Sequence, residues 1–133
     1  ILYNIKNMAM QQIEIKQHPV FTHYGADADG NIYSLKFNKV RLHIQSPHGR
    51  GYLHFTARQY GNQKSYLSHR FIYECFNGII PKGLQINHID CDKHNNHLDN
   101  LEVVDQWQNM EHGKQNGVLY GSANPNHPFY KGY

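Results

Sequence analysis

Cysteine is scarce in this 133-residue chain: only Cys75 and Cys91 are present, too few for the framework of a stapled secreted domain. Two thiols suit a reducing compartment. No apolar run comes near the ~18 residues that a membrane-crossing helix needs, and no signal-peptide pattern precedes the first polar segment. The protein is therefore expected to be soluble and cytoplasmic, with no membrane partner. A chain that begins with Ile rather than Met also reads as a trimmed form. At this length one domain can bury a core without disulfides or a metal staple.

A second absence is sharper. From Gly30 to Tyr73 there is no acidic residue, while Lys36, Lys39, Arg41, Arg50, Arg58, Lys64 and Arg70 all fall in that stretch. From Glu74 to His112 the balance reverses, with Glu74, Asp90, Asp92, Asp99, Glu102, Asp105 and Glu111 set against Lys82 and Lys93. The overall charge of +3 hides this division. The first half offers a face for a polyanion, and the second a place where a cation is welcome. Arginines at 41, 50 and 58 have the fork geometry that pairs with guanine, whereas the lysines suit phosphates. The eleven histidines are an excess that no single site could use.

Strand and turn signals give the organisation. Residues 1–29 read as irregular, with a short strand at 13–16 and a turn at 25–30. Runs rich in β-branched and aromatic residues predict strands at 31–36, 40–45, 51–57 and 64–67, with turns at Ser46-Pro47-His48-Gly49 and Tyr60-Gly61-Asn62. These form one small antiparallel sheet that carries the basic residues. Ser68 is placed as the N-cap of a short helix whose face holds Phe71, Ile72, Cys75 and Phe76, ended by Asn77-Gly78. A strand at 84–88 pairs with one at 101–104. Asp105 and Gln108 form a capping box for a helix from 106 to about 116, with Gly117 as its stop. On that helix Trp107, Met110 and Lys114 share a face expected to enter the core, and Asn109, His112 and Asn116 face the loop. Residues 117–133, rich in Gly, Asn, Pro and Tyr, read as an extended arm in which Lys131 can reach a polyanion.

The stretch Ile86-Asn87-His88-Ile89-Asp90, with Asn95-Asn96, Asp99-Asn100-Leu101 and Asn109 after it, specifies chemistry. In the order strand, loop, strand, helix these residues converge. Hydrolysis of a phosphodiester needs a base for water and a cation for the charge that grows on phosphate and leaving oxygen. His88 is the candidate base, since a neutral imidazole titrates close to working pH. Asn87 and Asn109 offer hard oxygen ligands of the kind that Mg²⁺ or Mn²⁺ accepts, with His112 as an extra ligand or phosphate contact. Asn100, late in the loop, ties it to the strand so that the imidazole is oriented. Cys91, His94 and His97 have spacings like those of zinc ligands but lack a clear fourth, so zinc is not expected.

The segment from Ser68-His69-Arg70-Phe71 through Gln85-Ile86-Asn87-His88-Ile89-Asp90, Lys93-His94-Asn95-Asn96, Asp99-Asn100-Leu101-Glu102-Val103-Val104 and Asn109 resembles the HNH endonucleases carried by phages and self-splicing introns. Tyr24-Gly25 and Gly30-Asn31-Ile32-Tyr33-Ser34 resemble the small sheet module that precedes this domain in homing enzymes. The resemblance implies an α+β fold: a basic antiparallel sheet module (1–67), a ββα-metal nuclease motif (68–116) and an extended arm (117–133). It also implies His88 as general base, Asn100 as the catalytic loop-positioning Asn and Asn87 and Asn109 as metal ligands. Expected products carry 5′-phosphate and 3′-hydroxyl ends. Many relatives place Asp where this chain has Asn87, which predicts a steep dependence on metal concentration. Double-stranded DNA is the expected partner of a monomer or homodimer, in the cytoplasm of a bacterial host if the chain is phage-encoded. A DNA-binding module with a decayed site and an RNA-directed nuclease are the rivals.

Overall fold

The computed structural model describes residues 2–6 and 12–115. Its strands are β1 (Leu2–Lys6), β2 (Gln12–Gln17), β3 (Tyr24–Ala26), β4 (Ile32–Ser34), β5 (Arg41–Leu42), β6 (Ser46–His48), β7 (Tyr52–Gln59), β8 (Asn62–Leu67), β9 (Gln85–His88) and β10 (Leu101–Val104). Helix α1 (Ser68–Asn77) follows β8, and α2 (Gln106–Gln115) follows β10. The fold is α+β with antiparallel sheets, as expected. The tail from 117, with Gly117 and Lys131, and Asn116 lie outside the described residues.

The expected single sheet is two. Strands β1 to β5 form one sheet in sequence order, and β6, β7 and β8 form another. Residues 1–29, read as irregular apart from a strand at 13–16, supply three of the strands, of which β2 is the expected one. β3 left no alternation to read because all three of its residues are buried. The strand expected at 40–45 shrinks to Arg41–Leu42, since the backbone leaves the sheet where Gln45 Nε2 turns to donate to Gly30 O (3.0 Å). Ser46-Pro47-His48, expected as a turn, is strand β6. It sits at a sheet edge, where the N–H that Pro47 lacks is not needed. The turn falls instead at Gly49 (φ 54°) and Gly51 (φ 93°). The β7–β8 turn is where it was expected, with Tyr60 (φ 50°) and Gly61 (φ 77°) both left-handed, as a two-residue hairpin requires.

Helix α1 starts one residue earlier than its sequence signal. Leu67 takes the N-cap position in extended conformation because β8 runs straight into the helix. Ser68 is helical and its buried Oγ has no partner, so it does not cap. Gly78 (φ 87°) ends the helix and donates to Glu74 O (2.9 Å). On α2 the capping box forms: Gln108 N donates to Asp105 Oδ1 (2.7 Å) and Asp105 N to Gln108 Oε1 (2.9 Å). Trp107, however, does not enter the core. It is 58% exposed, because α2 leans on the β9–β10 hairpin through the Asn109 side and its only buried residue is Gly113.

Phe71 and Ile72 of α1 are wholly buried among Tyr24, Ala26 and Ile32 of the first sheet, Phe55, Ala57 and Tyr66 of the second, and Ile86 and Leu101 of the hairpin. One apolar cluster therefore spans all three sheets. At its centre His18, fully buried, stacks on Phe71 with ring centroids 4.5 Å apart. His18 Nδ1 accepts from Val20 N (3.1 Å) and Phe21 N (3.0 Å), which places its proton on Nε2 for donation to Glu74 Oε1 (2.8 Å). Burial raises the Glu74 pKa, but the His18 bond and the Ile80 N–H outweigh it and the net shift is downward.

His18→Ala should remove this pairing, leaving the buried Glu74 carboxylate without its imidazole donor and the Val20 and Phe21 N–H groups without an acceptor. The expected loss is about 3 kcal/mol or more by urea titration. A loss below about 1 kcal/mol would show that the pair is not needed for the packing around α1.

Candidate active site

Strands β9 and β10 pair with His88 opposite Leu101, Asn87 opposite Glu102, Ile86 opposite Val103 and Gln85 opposite Val104. Because side chains alternate, Ile86 and His88 point toward α1, and Gln85 and Asn87 point toward α2. The loop between the strands is held by its own polar side chains. Asn100 Nδ2 donates to Asp90 Oδ1 (2.8 Å) and to Asn95 O (2.9 Å), while Asn100 Oδ1 accepts from Asp90 N (3.0 Å). Asn95 Nδ2 donates to Asp90 Oδ2 (2.7 Å), and these bonds hold the exposed Asp90 carboxyl below its usual pKa, the Asn95 bond most of all. Asp90 and Asp92 accept in turn from Asp92 N (2.8 Å) and His94 N (3.0 Å). Asn100 thus clasps both ends of the loop directly behind His88.

His88 is buried, and its Nε2 lies 2.7 Å from Asn96 Oδ1. With the amide oxygen accepting, the proton sits on Nε2 and Nδ1 keeps its lone pair. The His88 ring packs 4.8 Å from the His69 ring and 6.0 Å from that of Tyr52. Burial lowers the His88 pKa, opposed by the Asn96 bond and by Asp90 and Asp92, and Lys93 adds to the lowering. His69 falls further, to about 3, chiefly by burial and then by the neighbouring His88. Two adjacent imidazoles are therefore neutral at physiological pH. Lys93 is also fixed: its Nζ donates to Arg50 O (2.7 Å) and lies 4.7 Å from the Tyr52 ring centre.

On the other face, Asn87 Nδ2 donates to Glu102 Oε1 (2.9 Å) and Asn109 Nδ2 donates to Gln85 Oε1 (2.7 Å). Both amides spend their NH₂ groups on neighbours, so the carbonyl oxygens are what they offer to a hard cation. That donor set fits Mg²⁺ or Mn²⁺. His112 stands a turn beyond Asn109, with Nε2 2.8 Å from Ile89 O and Nδ1 3.8 Å from Cys91 Sγ. Both of its ring nitrogens face the loop. Cys91, His94 and His97 are not brought together; His97 Nε2 lies 3.2 Å from Asp29 Oδ1 instead.

The basic residues distribute over both sheets. Lys39, Arg41, Arg50, Arg58 and Lys64 are exposed. Lys36 and Arg58 line a cleft of about 710 Å³ whose walls include the exposed rings of Phe37 and Tyr60. None of its lining residues belongs to the β9–α2 segment, so the cleft is separate from His88. Arg58 Nε donates to Gln63 Oε1 (3.2 Å), and the half-buried Arg70 donates through Nη1 to Leu84 O (3.2 Å), which steadies the approach to β9.

Sequence reasoning assigned no role to Glu102, Asn96, His69, Tyr52 or Lys93, although Asn96 lies in the stretch it singled out. Glu102 was recoverable, because a hairpin register that sets His88 against Leu101 must set Asn87 against Glu102. Asn96 had no comparable signal, being placed by a loop.

Comparison with known proteins fits this geometry. A family model described as HNH endonuclease matches residues 66–111. The SPbeta prophage-derived protein YosQ of Bacillus subtilis (strain 168), named as an HNH homing endonuclease, is 40% identical over 92 residues, covering 69% of this chain and 53% of YosQ. DNA endonuclease I-HmuI of Bacillus phage SP01 is 33% identical over 97 residues, covering 73% of this chain and 55% of that enzyme. The chain thus spans about half the length of these relatives. The solved structure that describes DNA binding and cleavage by the HNH homing endonuclease I-HmuI superposes with a TM-score of 0.70 at 29% identity, over 83% of this chain and 63% of that one. The chain carries the HNH endonuclease motif and, along most of its length, resembles the HNH homing endonucleases in sequence and in fold.

Proposed function

We propose that this chain is a divalent-metal-dependent HNH endonuclease that hydrolyses phosphodiester bonds of double-stranded DNA. The observation that carries the reading is His88: a buried neutral imidazole with its proton held on Nε2 by Asn96, at the end of the strand that bears Asn87 and faces Asn109. Such a group takes a proton from water through Nδ1 without first having to lose one. Asn100 acts by fixing the loop, and so the angle of the ring. Asn87 and Asn109 would hold Mg²⁺ or Mn²⁺ through their amide oxygens, and His112 stands at the edge of that site. The ion, when bound, supplies positive charge to the phosphate and the departing oxygen. DNA lies along the exposed basic residues of 1–67, with Lys36, Lys39 and Lys64 on phosphates and Arg41, Arg50 and Arg58 able to reach bases. Residues 68–116 cut, and the arm from 117, including Lys131, extends the contact.

The Bacillus and Bacillus-phage relatives support action in the cytoplasm of a bacterial host. No helix among the described residues is long and apolar enough to cross a membrane. One His88 per chain acts on one strand at a time, so a monomer nicks and a homodimer is required for simultaneous cutting of both strands. A chain whose centre has decayed, for which the neutral Asn87 is the motivating residue, would bind DNA without cutting it. A plasmid-nicking assay with and without Mg²⁺ separates the two.

His88→Ala should slow cleavage ~10²–10⁴-fold and leave DNA affinity within a few fold. Normal cleavage by that variant removes His88 as the base. The pH profile has a defined direction as well. Protonation of His88 blocks the base, and burial moves that event below the ordinary 6.5, so the acid limb of the rate should bend below pH 6.5. A bend at or above that value contradicts the assignment.

Charge removal at Lys36, Lys39 and Lys64 together should weaken binding to all sequences alike and flatten its salt dependence, by about one unit of slope for each phosphate left without its lysine. An unchanged slope in a salt series would mean that this face is only solvated surface.

A further inference from the structure

Two neutral amides make a weak seat for Mg²⁺, which prefers at least one carboxylate among its protein contacts. A carboxylate is close by, on a residue that the reading above leaves unused. Glu102 is the cross-strand partner of Asn87, so their side chains leave the hairpin on the same face. Its Oε1 accepts from Asn87 Nδ2 at 2.9 Å. A carboxylate has no proton to give, which forces the amide to turn its NH₂ toward Glu102 and its Oδ1 away. Asn87 is itself buried, and Glu102 half-buried, so the orientation is held by packing and the charge is only partly screened.

We propose that Glu102 is the positioning residue of the metal site: it fixes the Asn87 amide with Oδ1 presented to the cation and supplies the negative charge that the two asparagines lack. This rests on the reading of Asn87 and Asn109 as ligands. The charge sits one strand across from the ligand position, on its hydrogen-bond partner. Cation affinity then depends on Glu102 although the amides make the contact. Outer partners of this kind are typically worth roughly 10- to 100-fold in metal affinity.

The test is Mn²⁺ titration of the full chain, followed by the electron paramagnetic resonance signal of free Mn²⁺. Glu102→Gln keeps an oxygen that can accept from Asn87 but removes the charge, and should weaken Mn²⁺ binding by roughly 10-fold or more. The metal concentration that half-saturates cleavage should rise in step, with the rate at saturating metal within a few fold of normal. Asn87→Asp combined with Glu102→Gln returns a carboxylate to the site and should restore Mn²⁺ binding to near the parent level, a rescue that a merely structural role for Glu102 would not give. Melting temperature and DNA affinity in EDTA monitor folding, and Glu102→Thr, which also lacks the charge but keeps an oxygen that can accept, serves with the same expectation if the Gln variant does not fold. Mn²⁺ binding by Glu102→Gln equal to that of the parent, or a double variant no better than Glu102→Gln, overturns the proposal. If Asn109→Ala and Asn87→Ala also bind Mn²⁺ like the parent, the ligand reading beneath it falls as well.

Discussion

Helix α1 is the constraint on which everything else is built, because one of its faces serves as core for three sheets at once. Phe71 and Ile72 are wholly buried, and the residues around them come from β3, β4, β7, β8, β9 and β10. A two-stranded hairpin such as β9–β10 is marginal by itself, and it is this shared packing that gives it a fixed position. The polar centre of the same cluster, His18 bonded to Glu74 and stacked on Phe71, fixes where the 18–24 segment meets the helix. Displacement of α1 would therefore move His69, and with it the surface against which the His88 ring lies.

A second tie is made by backbone. Leu98 N donates to Ala28 O (2.8 Å), and Gly30, at φ 94°, passes so close to the loop that a Cβ there would meet Asn96 backbone atoms at 3.0 Å. Asn96 is the residue that holds His88 Nε2. The turn that follows β3 in the first sheet thus presses on the residue that orients the proposed base, and a side chain at position 30 would be strained both by the left-handed backbone and by that approach. The sheet module and the nuclease motif are coupled at the site as well as through the core.

Much of this was legible in the sequence where a local rule applied. The capping box at Asp105 and Gln108, the Gly78 stop, the β9 and β10 strands and the Tyr60-Gly61 hairpin each follow from a short-range pattern, and so does the placement of Asn87, His88 and Asn100 on the hairpin with Asn109 on the helix after it. What was not legible depended on tertiary context. Tyr24–Ala26 is a strand because both its faces are covered, and Ser46–His48 is one because β7 is there to pair with it. Trp107 reads as a core residue from its helical phase alone, but α2 is oriented by Asn109 binding Gln85. Ser68 has the chemistry of a cap and loses the position to Leu67, since β8 and α1 are continuous.

The charge division seen in the sequence takes on a different meaning once each acid is placed beside its partner. An acidic half ought to repel the polyanion that the basic half attracts. Yet the acids of the second half are largely committed one by one: Glu74 to His18 and Ile80 N, Asp90 to Asn95 and Asn100, Asp92 to His94 N, Glu102 to Asn87, and Asp105 to the start of α2. Their negative charge serves local geometry, in the loop frame and beside the Asn87 amide. The cations at Lys39, Arg41, Arg50, Arg58 and Lys64 stay exposed. The exposed cations of the first half and the bonded acids of the second thus have different work: the first stand at the surface where a polyanion would meet them, and the second set the shape of the loop and of the hairpin.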